Sequence, residues 1–515
     1  MMWKKEKIFC QSIIGWLLSG ISILMLIKSV MLCFCNDIWY DELFTVGMIE
    51  HSYGELIAFT ARDVHPPLYY CITKTFADLC KLINPAADTV IAAKVVSVLP
   101  YFIIALYSVT FIRKRFGSFT SGVFLFSVIA MPQLAGYTVE IRMYSWALLF
   151  VTATLLHAYG TLTAEKMQRI HGAAMVLYGL AAAYTQYFAC VAVVMIYLYV
   201  LVGFLLHHKS RVREWFLGVI LSILGYSPWL SVLISQMTAV NQDYWILPLT
   251  WRSLGGCVKF LMKPSFANDR LNTVLAVVLF LVYVAVFAVF MIKVRKLYHD
   301  GRDLLSIAGI GTLAGLVLFG FLVSILVRPI FVYRYMIPAM GCFWLAFAVC
   351  LGSLTDSKGL IYVKLIVTAL LVVIGLRNYR AFMGEEEYKA LLMQDTQKAL
   401  ASVDAGDILI YNFDQVQAVT SYYLEDNVDS YLWCDTPEEL IQDIIRPYDT
   451  IDDVQDVMAL AQKGAEEDRN VLFIGSFNSR DEIVDEWRKA GLTVAEQGSY
   501  LLERYWFNIY KVSIE

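Results

Sequence analysis

Three acids and a histidine fall between the first two apolar runs of this chain, in Trp39-Tyr40-Asp41-Glu42 and in Asp63-Val64-His65-Pro66-Pro67-Leu68-Tyr69-Tyr70. Further along come Glu140-Ile141-Arg142-Met143-Tyr144 and Arg328-Pro329-Ile330-Phe331-Val332-Tyr333-Arg334-Tyr335. Carboxylates at the mouth of a helical bundle, rather than within lipid, are tolerated and are candidate chemistry. Acids together with arginines suit the transfer of a group whose leaving part is an anion. Arginine offers a planar, bidentate fork to phosphate, and a carboxylate can take the proton of an acceptor hydroxyl as the new bond forms.

Such groups need a scaffold, and the composition indicates which. The chain has 515 residues, 59% of them hydrophobic and only 17% charged, with mean hydropathy +0.60. A polytopic helical membrane protein follows. The formal net charge of -4 comes with no dense basic stripe, which excludes nucleic acid as a partner. The ten cysteines are scattered, without zinc-spaced pairs. Cys71 and Cys80 are expected as free thiols. No internal repeat, low-complexity segment or Gly-rich nucleotide loop is evident.

Basic residues Lys4, Lys5 and Lys7 precede an apolar run over 8–34, read as an uncleaved first span with a cytoplasmic N-terminus. Further spans are expected near 90–112, 118–135, 144–162, 171–186, 188–207, 214–236, 272–293, 304–327, 335–354 and 359–377. With these eleven, the basic turns at 113–115, 209–213 and 293–296 share the side of the N-terminus. The polar clusters at 39–42, 63–70, 140–144, 184–187, 242–245 and 328–335 then share the opposite face. The expected domains are a membrane region, 1–377, whose first outer loop (35–89) carries the chemistry, and an extracytoplasmic α/β domain, 378–515. The latter rests on strand-like Asp407–Tyr411 and Val471–Gly475 and on a helical pattern from Asp481 to Ala490 that stops at Gly491.

Asp41-Glu42 followed by the DVHPPLYY string at 63–70 resembles the protein O-mannosyltransferase superfamily, the glycosyltransferase family 39 group of GT-C architecture, together with the aminoarabinose transferases of lipid A. The likeness covers most of the membrane region. It extends to the 140–144 string, to Ser227-Pro228-Trp229 and to Arg334-Tyr335. It implies transfer of a sugar, hexosyl or pentosyl, from a polyprenyl-phosphate carrier to an acceptor lipid, glycan or protein at the outer membrane face, usually with inversion. Asp41 matches the catalytic base, with Glu42 in support. Asp63 and His65 match the second acidic motif and are the candidates for a divalent metal, if one is bound. Pro66 and Pro67 would open a short helix over Leu68–Ile83. Glu140 and Arg142 are candidates for substrate support or for an internal ion pair. Arg328 and Arg334 are the candidate phosphate ligands, with anchoring of helix ends as the alternative. Tyr40, Tyr244 and Trp245 are candidate sugar contacts, beside the simpler reading of interfacial tyrosine and tryptophan as an aromatic belt. One departure stands out: Thr185-Gln186-Tyr187 occupies the place of a Thr-His-Tyr string in many relatives. The tail also differs from the trefoil-like lumenal domain of the O-mannosyltransferases, which favours the bacterial branch. The alternative is a transporter or flippase of the same lipid-linked sugar, which should instead gather polar groups at the membrane midplane.

Overall fold

The computed structural model describes residues 2–35, 38–131, 134–164, 168–239, 246–294, 301–355, 357–404, 406–424, 428–434, 439–477, 479–502 and 504–514. Its chain divides into two compact units. The first comprises Met1–Cys33, Thr60–Phe76 and Lys94–Phe382; the second comprises Phe34–Phe59, Ala77–Ala93 and Met383–Glu515.

Each of the eleven expected spans corresponds to a helix. Among the described residues nine helices have the length and hydropathy to cross a bilayer. The other two are shorter: Ser118–Ala130, with 13 residues, and Arg169–Ala183, with 15. Burial separates central from peripheral helices. The apolar window of Tyr333–Gly352 is 94% buried and that of Tyr144–Thr163 78%, against 11% for Lys209–Thr238. The outer faces of the peripheral helices carry large exposed apolar side chains such as Leu221, Ile223 and Leu224, as lipid-facing surfaces do. Ser118–Ala130 is enclosed by its neighbours, and at Gly122 it meets Gly15 of the first helix backbone to backbone. A Cβ on Gly122 would lie 2.2 Å from the Gly15 carbonyl oxygen. Only small residues permit such an approach.

Two expectations need correction. The last span was expected to end at 377, but the helix runs unbroken over Lys358–Leu400. Hydropathy falls after Leu376 because Arg377, Arg380 and Glu385-Glu386-Glu387 follow, yet these are good helix formers and no proline intervenes. The apolar run therefore ends without the helix ending, and the expected division at 377–378 falls inside one rod. The first outer loop, expected to carry one helix, holds three: Tyr40–Glu50, Tyr53–Arg62 and Leu68–Ile83. The third has the expected limits.

The second unit contains a six-stranded sheet of order β3-β2-β1-β4-β6-β5. Its strands are β1 (Ile408–Tyr411), β2 (Asp429–Trp433), β3 (Asp449–Ile451), β4 (Val471–Ser476), β5 (Leu492–Leu502) and β6 (Tyr505–Ile514). β1 to β4 pair in parallel and the β5–β6 hairpin closes one edge antiparallel. β1 is buried along its whole length, as a parallel strand covered on both faces must be. Ile408, Ile410, Phe473 and Trp487 anchor its core. The helix Ser479–Lys489 precedes Gly491 at φ +98°, a backbone that favours glycine.

Candidate active site

The expected site residues separate into two clusters, one in each unit. In the second unit, Asp41 and Glu42 occupy the first turn of the Tyr40–Glu50 helix. The first amides of a helix lack helical acceptors, and carboxylates there offset both that deficit and the positive end of the helix dipole. Glu42 is buried and its Oε2 accepts from the Trp39 backbone amide at 3.2 Å, as the acid of a capping box does. Asp41 stays half-buried, and its carbonyl accepts from the Thr45 hydroxyl at 3.1 Å. The two adjacent acids thus differ in burial: Glu42 is buried and committed to the helix start, whereas Asp41 is half-buried.

Sequence reasoning missed the partners of this helix start. The Tyr505 hydroxyl is hydrogen-bonded to the Tyr40 backbone and donates to Gln415 Oε1 at 2.9 Å. Burial, and then the nearby Asp41 charge, push that hydroxyl well above its usual range, so it stays protonated. The Arg504 guanidinium lies 3.8 Å from the centroid of the Trp39 ring. No local signal marks Arg504 or Tyr505, because their pairing with residues 39–41 spans most of the chain. Tyr40, expected as a sugar contact, is tied here through its backbone.

The first unit brings together residues from three loops. His65 is buried, and both Arg142 and Arg334 bear on it electrostatically. Burial first, and then the two guanidinium charges, hold its imidazole well below the usual range, so it is neutral at neutral pH. The Arg334 guanidinium lies 5.9 Å from the Tyr144 ring centroid. Arg142 is buried, and its amide donates to the Glu140 carbonyl at 2.7 Å across the tight turn before the Tyr144–Thr163 helix. Arg328 ends the Arg302–Leu326 helix, with its amide donating to the Val323 carbonyl at 3.1 Å. Of the two expected phosphate ligands, Arg334 is the one set against His65.

The Asp63 stretch is held from a distance by Gln236 on the Val212–Ala239 helix. Gln236 Nε2 donates to the Thr60 carbonyl at 2.8 Å and also to that of Asp63, while its Oε1 accepts from the Tyr187 hydroxyl. Trp229 Nε1 donates to the same Tyr187 oxygen at 3.1 Å. The Asp63 carboxylate lies near enough to Tyr187 to act on it electrostatically. Just beyond, the Leu68 amide donates to the Tyr184 carbonyl at 3.0 Å, and the Pro67 carbonyl accepts the first bond of the Leu68–Ile83 helix from Cys71 at 3.0 Å. A lone buried amide in a lipid-facing helix was the one sequence signal for Gln236. Gln186, at the departure from the histidine-bearing string, caps the Tyr187–His207 helix: its Oε1 accepts from the Ala189 amide at 2.8 Å. That is a structural role which a glutamine fills without metal or proton chemistry.

A divalent cation is poorly matched to the expected pair. The charges of two guanidinium groups act on His65, and a further cation there would be repelled. Among the described residues, no group of three or more His, Cys, Asp or Glu is arranged to hold a metal. Tyr244 and Trp245 lie outside the described residues. Cys71 and Cys80 are both free thiols.

No family profile matches the chain and no curated protein is similar to it in sequence. Its fold does have solved counterparts. The apo structure of ArnT, an aminoarabinose transferase from Cupriavidus metallidurans, superposes with a TM-score of 0.58 at 12% identity, over 97% of this chain and 98% of that one. The same protein bound to undecaprenyl phosphate gives 0.54 at 12% identity, with the same coverage. The chain is therefore a multi-pass helical membrane protein of the GT-C fold with a C-terminal α/β domain.

Proposed function

We propose that this protein is an integral-membrane glycosyltransferase that moves a sugar from a polyprenyl-phosphate carrier to an acceptor hydroxyl, with inversion. The observation that carries the reading is that the charges of Arg142 and Arg334, from loops nearly two hundred positions apart, both act on one buried neutral histidine. A buried and a half-buried guanidinium beside an uncharged imidazole suit an anion, and a phosphate is the anion their planar forks fit. The GT-C fold, whose ArnT example binds undecaprenyl phosphate, supports the same donor class.

In the reaction, Asp41 accepts the acceptor's proton while the acceptor oxygen bonds to the anomeric carbon. The bond from that carbon to the phosphate oxygen breaks, and the electron pair leaves with the polyprenyl phosphate. Arg142 and Arg334 stabilise that charge, which counts for more where water is excluded. His65, held neutral, hydrogen-bonds without adding charge. Tyr40 and Glu140 serve as supporting groups. The acceptor class is a cell-envelope lipid, glycan or protein. The basic inner turns support a cytoplasmic N-terminus and an extracytoplasmic C-terminal domain.

The deciding experiment is transfer of radiolabelled sugar from a panel of polyprenyl-phosphate sugars by the purified protein in liposomes, wild type beside Asp41→Asn. Turnover in the wild type that the variant loses while still binding carrier supports transfer with Asp41 as base. Carrier binding with no turnover in either protein, across acceptors, would replace the enzyme with a transporter of the same lipid.

A further inference from the structure

We propose that Arg504 and Tyr505, at the turn between β5 and β6, are positioning residues for the reaction: they fix the start of the Tyr40–Glu50 helix, and with it Asp41, so that the C-terminal domain is a working part of the transferase. The proposal rests on Asp41 as the base.

Contacts within the second unit support it. The Tyr40 amide is one of those a helix leaves without an internal acceptor. It is hydrogen-bonded to the Tyr505 hydroxyl, which in turn donates to Gln415 at 2.9 Å. Trp39 is the residue whose carbonyl accepts the first two helical bonds, from the Glu42 amide at 3.0 Å and the Leu43 amide at 2.9 Å. Arg504 covers the ring of that same Trp39 at 3.8 Å, well inside the range at which a cation over an indole is attractive. At the far end of the helix, Gly47 faces the Ile444 carbonyl oxygen so closely that a Cβ would lie 2.4 Å from it. A side chain at 47 would push the helix off, so glycine lets backbone touch backbone.

A helix gripped at both ends can neither slide nor turn about its axis. Successive residues of an α-helix point about 100° apart, so even a small rotation would swing the Asp41 carboxylate away from an acceptor hydroxyl. Misplacing a reacting group by about 1 Å can cost on the order of a hundredfold in rate. Tyr505 and Arg504 grip the end that bears the acid. Their own chemistry is suited to this: the hydroxyl is protonated and buried, and the guanidinium is planar and permanently charged.

The test uses the full-length protein in liposomes. Tyr505→Phe keeps the ring and removes only the hydroxyl. It should lower kcat about tenfold, leaving KM for the polyprenyl-phosphate sugar unchanged. Arg504→Lys, which keeps the charge but loses the planar stack, should lower kcat in the same way, by a smaller factor. In the Asp41→Asn background, Tyr505→Phe should bring no further loss of residual turnover, because a residue that acts through Asp41 has nothing left to position. Wild-type kcat in Tyr505→Phe, or a loss that adds in full to that of Asp41→Asn, would overturn the proposal. If Asp41→Asn alone kept wild-type turnover, it is the assignment of the base that would fall, so the two failures are distinguishable.

Discussion

The two polar clusters are built in opposite ways. Around His65, residues from three loops are sunk in the helical unit, and the imidazole is held neutral by burial and by two guanidinium charges. Around Asp41, a short helix start is secured by its own neighbour Glu42 and by two residues of a β-turn, and the acid itself stays half-buried. The first arrangement suits binding of an anion, for which cations fixed in a partly dry site before the ligand arrives are strongest. The second suits proton transfer, for which an acid must keep access to its partner. The difference teaches that burial and charge alone would have pointed to His65 and passed over Asp41, the residue assigned the chemistry.

That contrast can be broken. Asp41→Asn should reduce turnover by about a hundredfold to ten-thousandfold, the range a positioned general base contributes, with carrier binding retained in a radioligand assay. Arg334→Ala should cut kcat/KM for the polyprenyl-phosphate sugar by about a hundredfold, corresponding to about 2.7 kcal/mol of transition-state stabilisation. It should also weaken binding of the free carrier phosphate, which Asp41→Asn should not. If both variants lost binding equally, the division into an anion site and a base would be lost.

Smaller effects sharpen the picture. Gln236→Leu removes the donor to the Thr60 and Asp63 carbonyls and the acceptor of the Tyr187 hydroxyl. Leaving those groups buried and unsatisfied should cost about 1–3 kcal/mol, measurable as a lower melting temperature in detergent. The pH effect is smaller still. The folded state holds His65 well below its ordinary value of 6.5, so below that value the unfolded chain binds the proton more readily. Stability is then whole above about pH 6.5 and is lost progressively as pH falls toward the folded value. His65→Gln should flatten that acid-side loss in a thermal-shift series. An unchanged slope would mean that His65 is not the group responsible.

Much of the membrane region was legible in the sequence. Long apolar runs report on a bilayer whatever their neighbours are, so each of the eleven expected runs coincides with a helix, and nine of these helices, among the described residues, are long and apolar enough to cross a membrane. The two that are short, Ser118–Ala130 and Arg169–Ala183, also have a run of small or apolar residues in the sequence. The third loop helix, Leu68–Ile83, could be bounded because a proline pair marks its start. The end of the last span could not be read, because hydropathy records where lipid stops and helix propensity records where the helix stops, and at 377 these part company. In the C-terminal domain, β1 and β4 stood out as apolar strands, whereas β2 and β3, whose residues are partly exposed, did not.

The sequence by itself determined the solvent, the positions of the apolar helices and the residue types available for chemistry, since these depend on local composition and on fixed lengths. Only the tertiary structure decided which arginine meets His65, that Glu42 is a cap while Asp41 is not, and that Tyr505 and Arg504 reach the start of a helix more than four hundred and fifty residues earlier. Such pairings depend on side chains brought close by packing, and no spacing along the chain encodes a distance across it.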